Sequence, residues 1–325
     1  MNFERFCASS QAVVIAGKGG VGKTTVTAAF AVAAARAGLD VLVIEVEGKS
    51  GLAASFGKPP LTYKEEELAP RVRGRTLTPD EAMLEYLEDH GLKRVSKRLV
   101  STGVLDVVAT AAPGMKDILV LGKVKQLERG RAADLILIDA PAAGHAVNFL
   151  LSPRGLLDAV RVGPIRSQAT DVIEMLSDPQ RCQVMLVALP EETPVNELVD
   201  TAYALEDRVG VALSPIVVNS MYPDMGIDGA ALDSITPQTI QADAAATDVF
   251  ISDREAENLA AAAEFRALRR AIQQEQVERL TERLALPQIH LPFVFSAEIG
   301  PKEIEMLATS FTESVEAMET ADSRP

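Results

Sequence analysis

Two cysteines, Cys7 and Cys182, are all that the 325 residues contain, far apart and with no CxxC spacing. That pattern excludes a disulfide framework and a cysteine zinc site, and it suits a reducing compartment. Nowhere is there a run of about 18 uncharged apolar residues, so no bilayer-spanning helix is expected. The opening MNFERFCASSQ lacks a basic region followed by a long apolar run, so no secretion signal is expected and the chain is assigned to the cytoplasm. Positive charge is also short: 32 Lys and Arg face 46 Asp and Glu, a formal net charge of −14. A protein whose main work is gripping nucleic acid needs the opposite balance. Internal repeats are absent, as is any low-complexity tract beyond alanine enrichment.

With 47% hydrophobic and 24% charged residues, the chain has the make-up of an ordinary soluble protein, and its length suits one large open α/β domain. Val13–Ala16 is a short β-branched run leading into glycines. An Ala-rich helix is expected from about Thr24 to Ala37, stopped by Gly38, and DVLVIEVE (40–47) is the next strand. A parallel pair joined through a helix crosses over right-handed. DLILIDA (134–140), QVMLVALP (183–190) and SPIVVNS (214–220) have the length and flanks of buried parallel strands, and QIHLPFVF (288–295) is a weaker one. Helical periodicity marks 196–208 and 253–285. Residues 62–130 and 150–182 show helical patterns with glycine and proline breaks and no strand of comparable quality. The expectation is a single domain over 1–325: an α/β, doubly wound, mostly parallel sheet with a helical insertion subdomain formed by 62–130 and 150–182. The acidic tail ESVEAMETADSRP is expected to fray.

Gly17-Lys18-Gly19-Gly20-Val21-Gly22-Lys23-Thr24 matches G-x-x-x-x-G-K-[ST], with a strand before it and a helix after. Glycines let backbone N–H groups turn inward around phosphates, and the helix N-terminus adds its positive end. In such a P-loop NTPase, Lys23 reaches the β- and γ-phosphates and the Thr24 hydroxyl sits on Mg2+. Residues Gly17 to Thr25 are therefore the expected ATP cradle.

Lys18 makes the loop K-G-G-x-G-K-T-T, which resembles the deviant Walker A of the MinD, ParA, nitrogenase-iron-protein and ArsA ATPases. That resemblance implies a signature lysine reaching across a dimer interface to the partner's nucleotide, a cation supplied in trans as an arginine finger is. LILIDAPAAGHAVNFLLSP places Asp139 at a strand end, followed by Pro141, Gly144 and His145. It resembles the D-[TA]-x-P-T-G-H switch of the ArsA and tail-anchored-protein-targeting (Get-type) ATPases more than the MinD or ParA version. By that resemblance Asp139 holds Mg2+ through water and Gly144 lets the segment move when the γ-phosphate leaves. Ala143 stands where the family has threonine, and His145 is given no acid–base role. APGMKD (112–117) resembles P-G-[IM]-x-E of the family's helical subdomain. Asn219 in IVVNS falls where the family's asparagine reads adenine, and Pro292 and Phe293 in LPFVFSAEIG where a stretch closes over the base. Where the family has S-T-D-P-A-H, this chain has Glu45-Val46-Glu47-Gly48-Lys49-Ser50. Glu47 thus takes the place of the aspartate that positions the attacking water. Its carboxylate stands about one methylene further out, and a misplacement near 1 Å costs on the order of a hundredfold in rate. Hydrolysis is then slow unless Glu47 reaches by a different rotamer; the plainer alternative is a solvated glutamate at a strand end.

The resemblance implies a single-loop bacterial type of ArsA/Get ATPase, with neither arsenite-binding cysteines nor a zinc CxxC, so arsenite chemistry is not expected. A lysine acting in trans requires a homodimer, or a heterodimer with a paralogous ATPase. The apolar segments LEYL, LVSTGVLDVVATAAPGM and ILVLGKV in 84–124 are candidates for a groove holding a hydrophobic protein client, or are plain core. Methionine is sparse there, with Met83 and Met115 only in 62–130. The basic clusters RVRGR (71–75) and KRVSKR (93–98), near acidic KEEE (64–67), are expected to be solvated faces. Two other readings stay open: a hydrolysis-impaired regulatory subunit of a heterodimer, and a ParA/MinD-like positioning ATPase. For the second, the acidic tail speaks against a membrane-binding helix at the C-terminus.

Overall fold

The computed structural model describes residues 2–46, 51–89, 114–227 and 229–322. The first half contains α1 (Phe3–Cys7), β1 (Ala12–Gly17), α2 (Lys23–Arg36), β2 (Val41–Val46), α3 (Gly51–Ser55), β3 (Glu66–Ala69), β4 (Val72–Leu77) and α4 (Pro79–Asp89). Then come α5 (Met115–Arg129), β5 (Leu135–Ala142), α6 (Ala143–Ala159) and α7 (Pro164–Ser177). The second half runs through β6 (Cys182–Ala188), α8 (Glu192–Ala204), a π-helical turn at Leu205–Val209, β7 (Ala212–Leu213) and β8 (Ile216–Met221). It ends with α9 (Gly229–Ser234), α10 (Pro237–Ala246), α11 (Asp253–Arg283), β9 (Gln288–Pro292) and α12 (Pro301–Asp322).

The strands form one sheet in the order β3-β4-β2-β5-β1-β6-β8-β9, with β7 beside β6, parallel except for the β3–β4 pair. Its central strands are apolar on both sides because both sides are covered. Leu42, Ile44, Ile136 and Ile138 face a layer made by α5, α6, α7 and α8. Val41, Val43, Leu135 and Leu137 face α1, α2, α3 and α12. Alanines at 28, 29, 31, 33 and 34 bury α2 against the sheet, and Phe30 stacks on Phe311 of α12 with ring centroids 4.8 Å apart.

Three expectations need correction. Residues 62–130 are not helical throughout: β3 and β4 lie within them, and β4 pairs in parallel with β2. The RVRGR cluster is therefore largely a strand. Arg75 is buried with its guanidinium 4.3 Å from the Tyr63 ring, and Arg73 donates to the Ala132 carbonyl at 2.6 Å. A strand whose polar side chains find partners carries no apolar run to announce it. The C-terminal tail is helical to Asp322, because Phe311, Val315 and Met318 recur at helical spacing on the core. For ILVLGKV the plain-core alternative holds, with Ile118, Val120, Leu121 and Val124 buried in the sheet-facing layer. KRVSKR and nearly all of LVSTGVLDVVATAAPGM fall outside the described residues.

Both cysteines are buried, and burial pushes each thiol up to about 12. Between α4, α5 and α7 lies a cavity of about 430 Å³ with paired charges on its walls. Lys125 donates to Asp171 at 2.9 Å, Arg129 donates to it at 3.2 Å, and Lys123 donates to Glu85 at 2.7 Å. The bond from Lys125 holds the Asp171 carboxyl below its ordinary 3.8. Burial works to raise Glu85, but the bonds from Lys123 and Tyr63 outweigh it and hold it below 4.5.

Carboxyls depressed in the folded state add stability above their unfolded values, and that contribution is lost as pH falls through the folded ones. Thermal unfolding should therefore show stability draining away below about pH 4, and Asp171→Asn should blunt that loss. Phe311→Ala should cost about 3–5 kcal/mol in urea unfolding, since it removes the ring on which Phe3, Phe6 and Phe30 all pack.

Candidate functional site

The loop between β1 and α2 opens at the carboxyl ends of the parallel strands, where an α/β sheet places its ligands. β1 lies between β5 and β6, so residues from three strands converge there. At Gly17 a Cβ atom would stand 2.3 Å from the Val187 carbonyl oxygen of β6, so the strand ends can come this close only at glycine. Gly22 has φ +90°, and a Cβ there would meet Asn219 Nδ2 at 2.3 Å. Asn219, buried at the end of β8, donates Nδ2 to the Val21 carbonyl at 2.9 Å and so straps the loop.

Lys23 donates its amine to the Lys18 carbonyl at 3.1 Å. Thr24 in the first turn of α2 donates to Asp139 Oδ2 at 2.7 Å. Lys18 donates to Glu197 of α8 at 2.7 Å, with both side chains half-exposed. His145 is exposed. Glu47 lies outside the described residues.

A cavity of about 230 Å³ brings Gly20, Gly22 and Thr25 together with Asn219, Pro292 and Phe293. These residues are separated by nearly the whole chain. Phe293 anchors its backbone N–H on the Met221 carbonyl at 2.7 Å and stacks on Tyr222 at 5.1 Å. Phe295 packs edge-on to Phe293 at 4.8 Å, and the Arg266 guanidinium lies 5.6 Å from the Tyr222 ring and 5.3 Å from that of Phe295. Tyr222 was not singled out from the sequence, although an aromatic three residues after Asn219 was there to be read.

Glu45 is the larger omission. It is 3% exposed on β2, in register with Asp139 of β5, which is 8% exposed. Its carboxylate accepts from the Thr76 hydroxyl at 3.2 Å and from the Leu52 backbone N–H. Burial raises this carboxyl, the bond from Thr76 lowers it, the Asp139 charge raises it again, and the net direction is upward. The available signal was parity: in VLVIEVE, Glu45 occupies the same strand face as the core residues Val41 and Val43.

Chemically, the loop offers backbone N–H groups and a lysine to an anion. Thr24 and Asp139, joined at 2.7 Å, offer hard oxygen donors, which fit Mg2+ and not a softer metal. Gly17→Ala should lower stability by about 1–3 kcal/mol or more, because backbone rather than a flexible side chain blocks the new methyl; urea unfolding reads it.

Comparison with known proteins adds the following. Residues 10–162 match the family model described as "Anion-transporting ATPase". ATPase BagA of Mycobacterium tuberculosis is 29% identical over 297 residues, covering 86% of each chain. A putative arsenical pump-driving ATPase of Halobacterium salinarum is 24% identical over 315 residues, 91% of this chain and 43% of that one. ATPase get3 of Schizosaccharomyces japonicus is 26% identical over 172 residues, 50% of this chain and 52% of that one.

Proposed function

We propose that the chain is an ATPase of the ArsA/Get family, a nucleotide-switched dimer whose ATP state governs binding of a hydrophobic protein client. The observation that carries the nucleotide half of this reading is the convergence of Thr24 and Asp139 at 2.7 Å beside a loop strapped by Asn219. Lys23 takes the β- and γ-phosphate oxygens, exchanging the Lys18 carbonyl for a stronger charge-assisted partner. Asn219, Pro292 and Phe293 flank the base. Thr24 and Asp139 would hold Mg2+, which supplies charge neutralisation across the phosphates. Glu47, following β2, orients the attacking water.

Lys18 serves the partner subunit's nucleotide. Its bond to Glu197 is half-exposed, and such pairs contribute about 0.2–1 kcal/mol, so little holds the amine back when a triphosphate is presented opposite. The partner is a second copy or a paralogue with its own loop. A covering partner chain is also supported by apolar side chains left in solvent on and before α11: Phe250 is 91% exposed, and Leu259, Phe265 and Leu268 are exposed as well.

Lys23→Ala should abolish ATP binding. Lys18→Ala should keep it while lowering single-turnover hydrolysis about 10²–10³-fold and abolishing ATP-dependent dimerisation in analytical ultracentrifugation. Full turnover by a monomeric Lys18→Ala protein would refute the trans assignment.

A further inference from the structure

We propose that Gln273 of α11 is a positioning residue for the base end of the nucleotide, clamping the bulge that aims Asn219. The inference deepens the ATPase reading above and rests on it.

β8 does not run straight into the site. Val218 pairs with His290 of β9 and Met221 with Pro292, so three steps along β8 match two along β9. The extra residue falls at Asn219-Ser220, and a β-bulge of this kind re-aims a side chain beside a site. Ser220 absorbs it at φ +63°, in the left-handed region, which a residue with a Cβ keeps only when its surroundings hold it there. Asn219 and Ser220 both line the cavity of about 230 Å³. Asn219 gives its Nδ2 to the Val21 carbonyl. With Nδ2 committed, the amide has its Oδ1 acceptor to offer a base, which suits the exocyclic amine of adenine and repels the O6 carbonyl of guanine.

Gln273 holds that segment in place. It is 3% exposed, donates Nε2 to the Ser220 carbonyl at 3.0 Å and accepts the Tyr222 N–H on Oε1 at 2.8 Å. One side-chain amide thus supplies the donor and the acceptor that a neighbouring strand would supply, and the two backbone groups fix which end of the amide is which. From the other side the Phe293 N–H bonds the Met221 carbonyl at 2.7 Å. Arg270, one turn earlier on α11, donates to Asp224 at 2.8 Å, and the Arg266 guanidinium lies 5.6 Å from the Tyr222 ring. Residues 266, 270 and 273 share one helix face, so that face grips 220–224, and its buried member bonds the residue next to Asn219. An apolar side chain at 273 would leave the Ser220 carbonyl and the Tyr222 N–H without this partner. Burying unpaired groups is costly, so the bulge would relax and Asn219 would turn with it.

If Gln273 only packed α11 onto the sheet, its loss would weaken every nucleotide alike. The test uses the full chain with Mg2+, and isothermal titration calorimetry with ADP and with GDP. Gln273→Met, close in shape and lacking the amide, should weaken ADP about tenfold while GDP affinity stays within about twofold. The preference for ADP over GDP therefore shrinks. Adding Ser220→Gly should restore much of that preference, because glycine keeps a positive φ without a clamp. Gln273→Asn, one methylene too short to span both backbone groups, should fall between and serves if the methionine variant does not fold. An unchanged ADP-to-GDP ratio in Gln273→Met, whether both affinities hold or fall together, would overturn the inference, as would a double variant no better than the single one. Failure of the unaltered protein to bind ADP would instead overturn the ATPase reading beneath it.

Discussion

The hydrogen bond from Thr24 to Asp139 joins the first turn of α2 to the end of β5, and through β5 to both β1 and β2. For that bond to form, β1 must end where it does and reverse into helix within a few residues. Gly17 against Val187 and Gly22 against Asn219 are the two places where anything larger than hydrogen would prevent it. The apolar strands supply a frame buried on both faces, and the loop opens at its carboxyl edge. A sheet buried on both faces is well suited to this task, because errors of an ångström at its carboxyl edge would be paid for in rate.

Much of this was legible in the amino-acid pattern because the informative residues obey strong local rules. The glycine-lysine loop between a β-branched run and an alanine-rich run allows little else, and β1, α2, β2, β5, β6, β8 and β9 all lie where periodicity put them, within a few residues. Asn219, Pro292 and Phe293 were named separately and turn out to wall one cavity with the loop. What escaped notice obeys tertiary rules. The strand β4 is polar because Arg73, Arg75 and Thr76 meet Ala132, Tyr63 and Glu45, partners distant in sequence. The segment ILVLGKV reads more readily as core than as a groove, and its position under the sheet agrees. Glu45 is legible only through the strand parity of VLVIEVE, since the motif comparison points to Glu47.

Charge is distributed with a purpose that the net figure of −14 conceals. In the helical layer the acids are matched: Asp171, Glu85 and Glu128 each have a cation in contact. At the carboxyl edge of the sheet, Glu45 and Asp139 are register partners on adjacent strands and take hydrogen bonds from the Thr76 and Thr24 hydroxyls.

The chain's two ends meet. Phe3 and Phe6 of α1 pack on Phe311 of α12, which stacks on Phe30 of α2. Pro292 and Phe293, which close the cavity opposite the loop, directly precede α12. Translation proceeds from the first residue to the last, and domains fold as they emerge. A nascent chain therefore owns the glycine loop more than two hundred residues before it owns the opposite wall, and the cavity between them is a product of late synthesis rather than early.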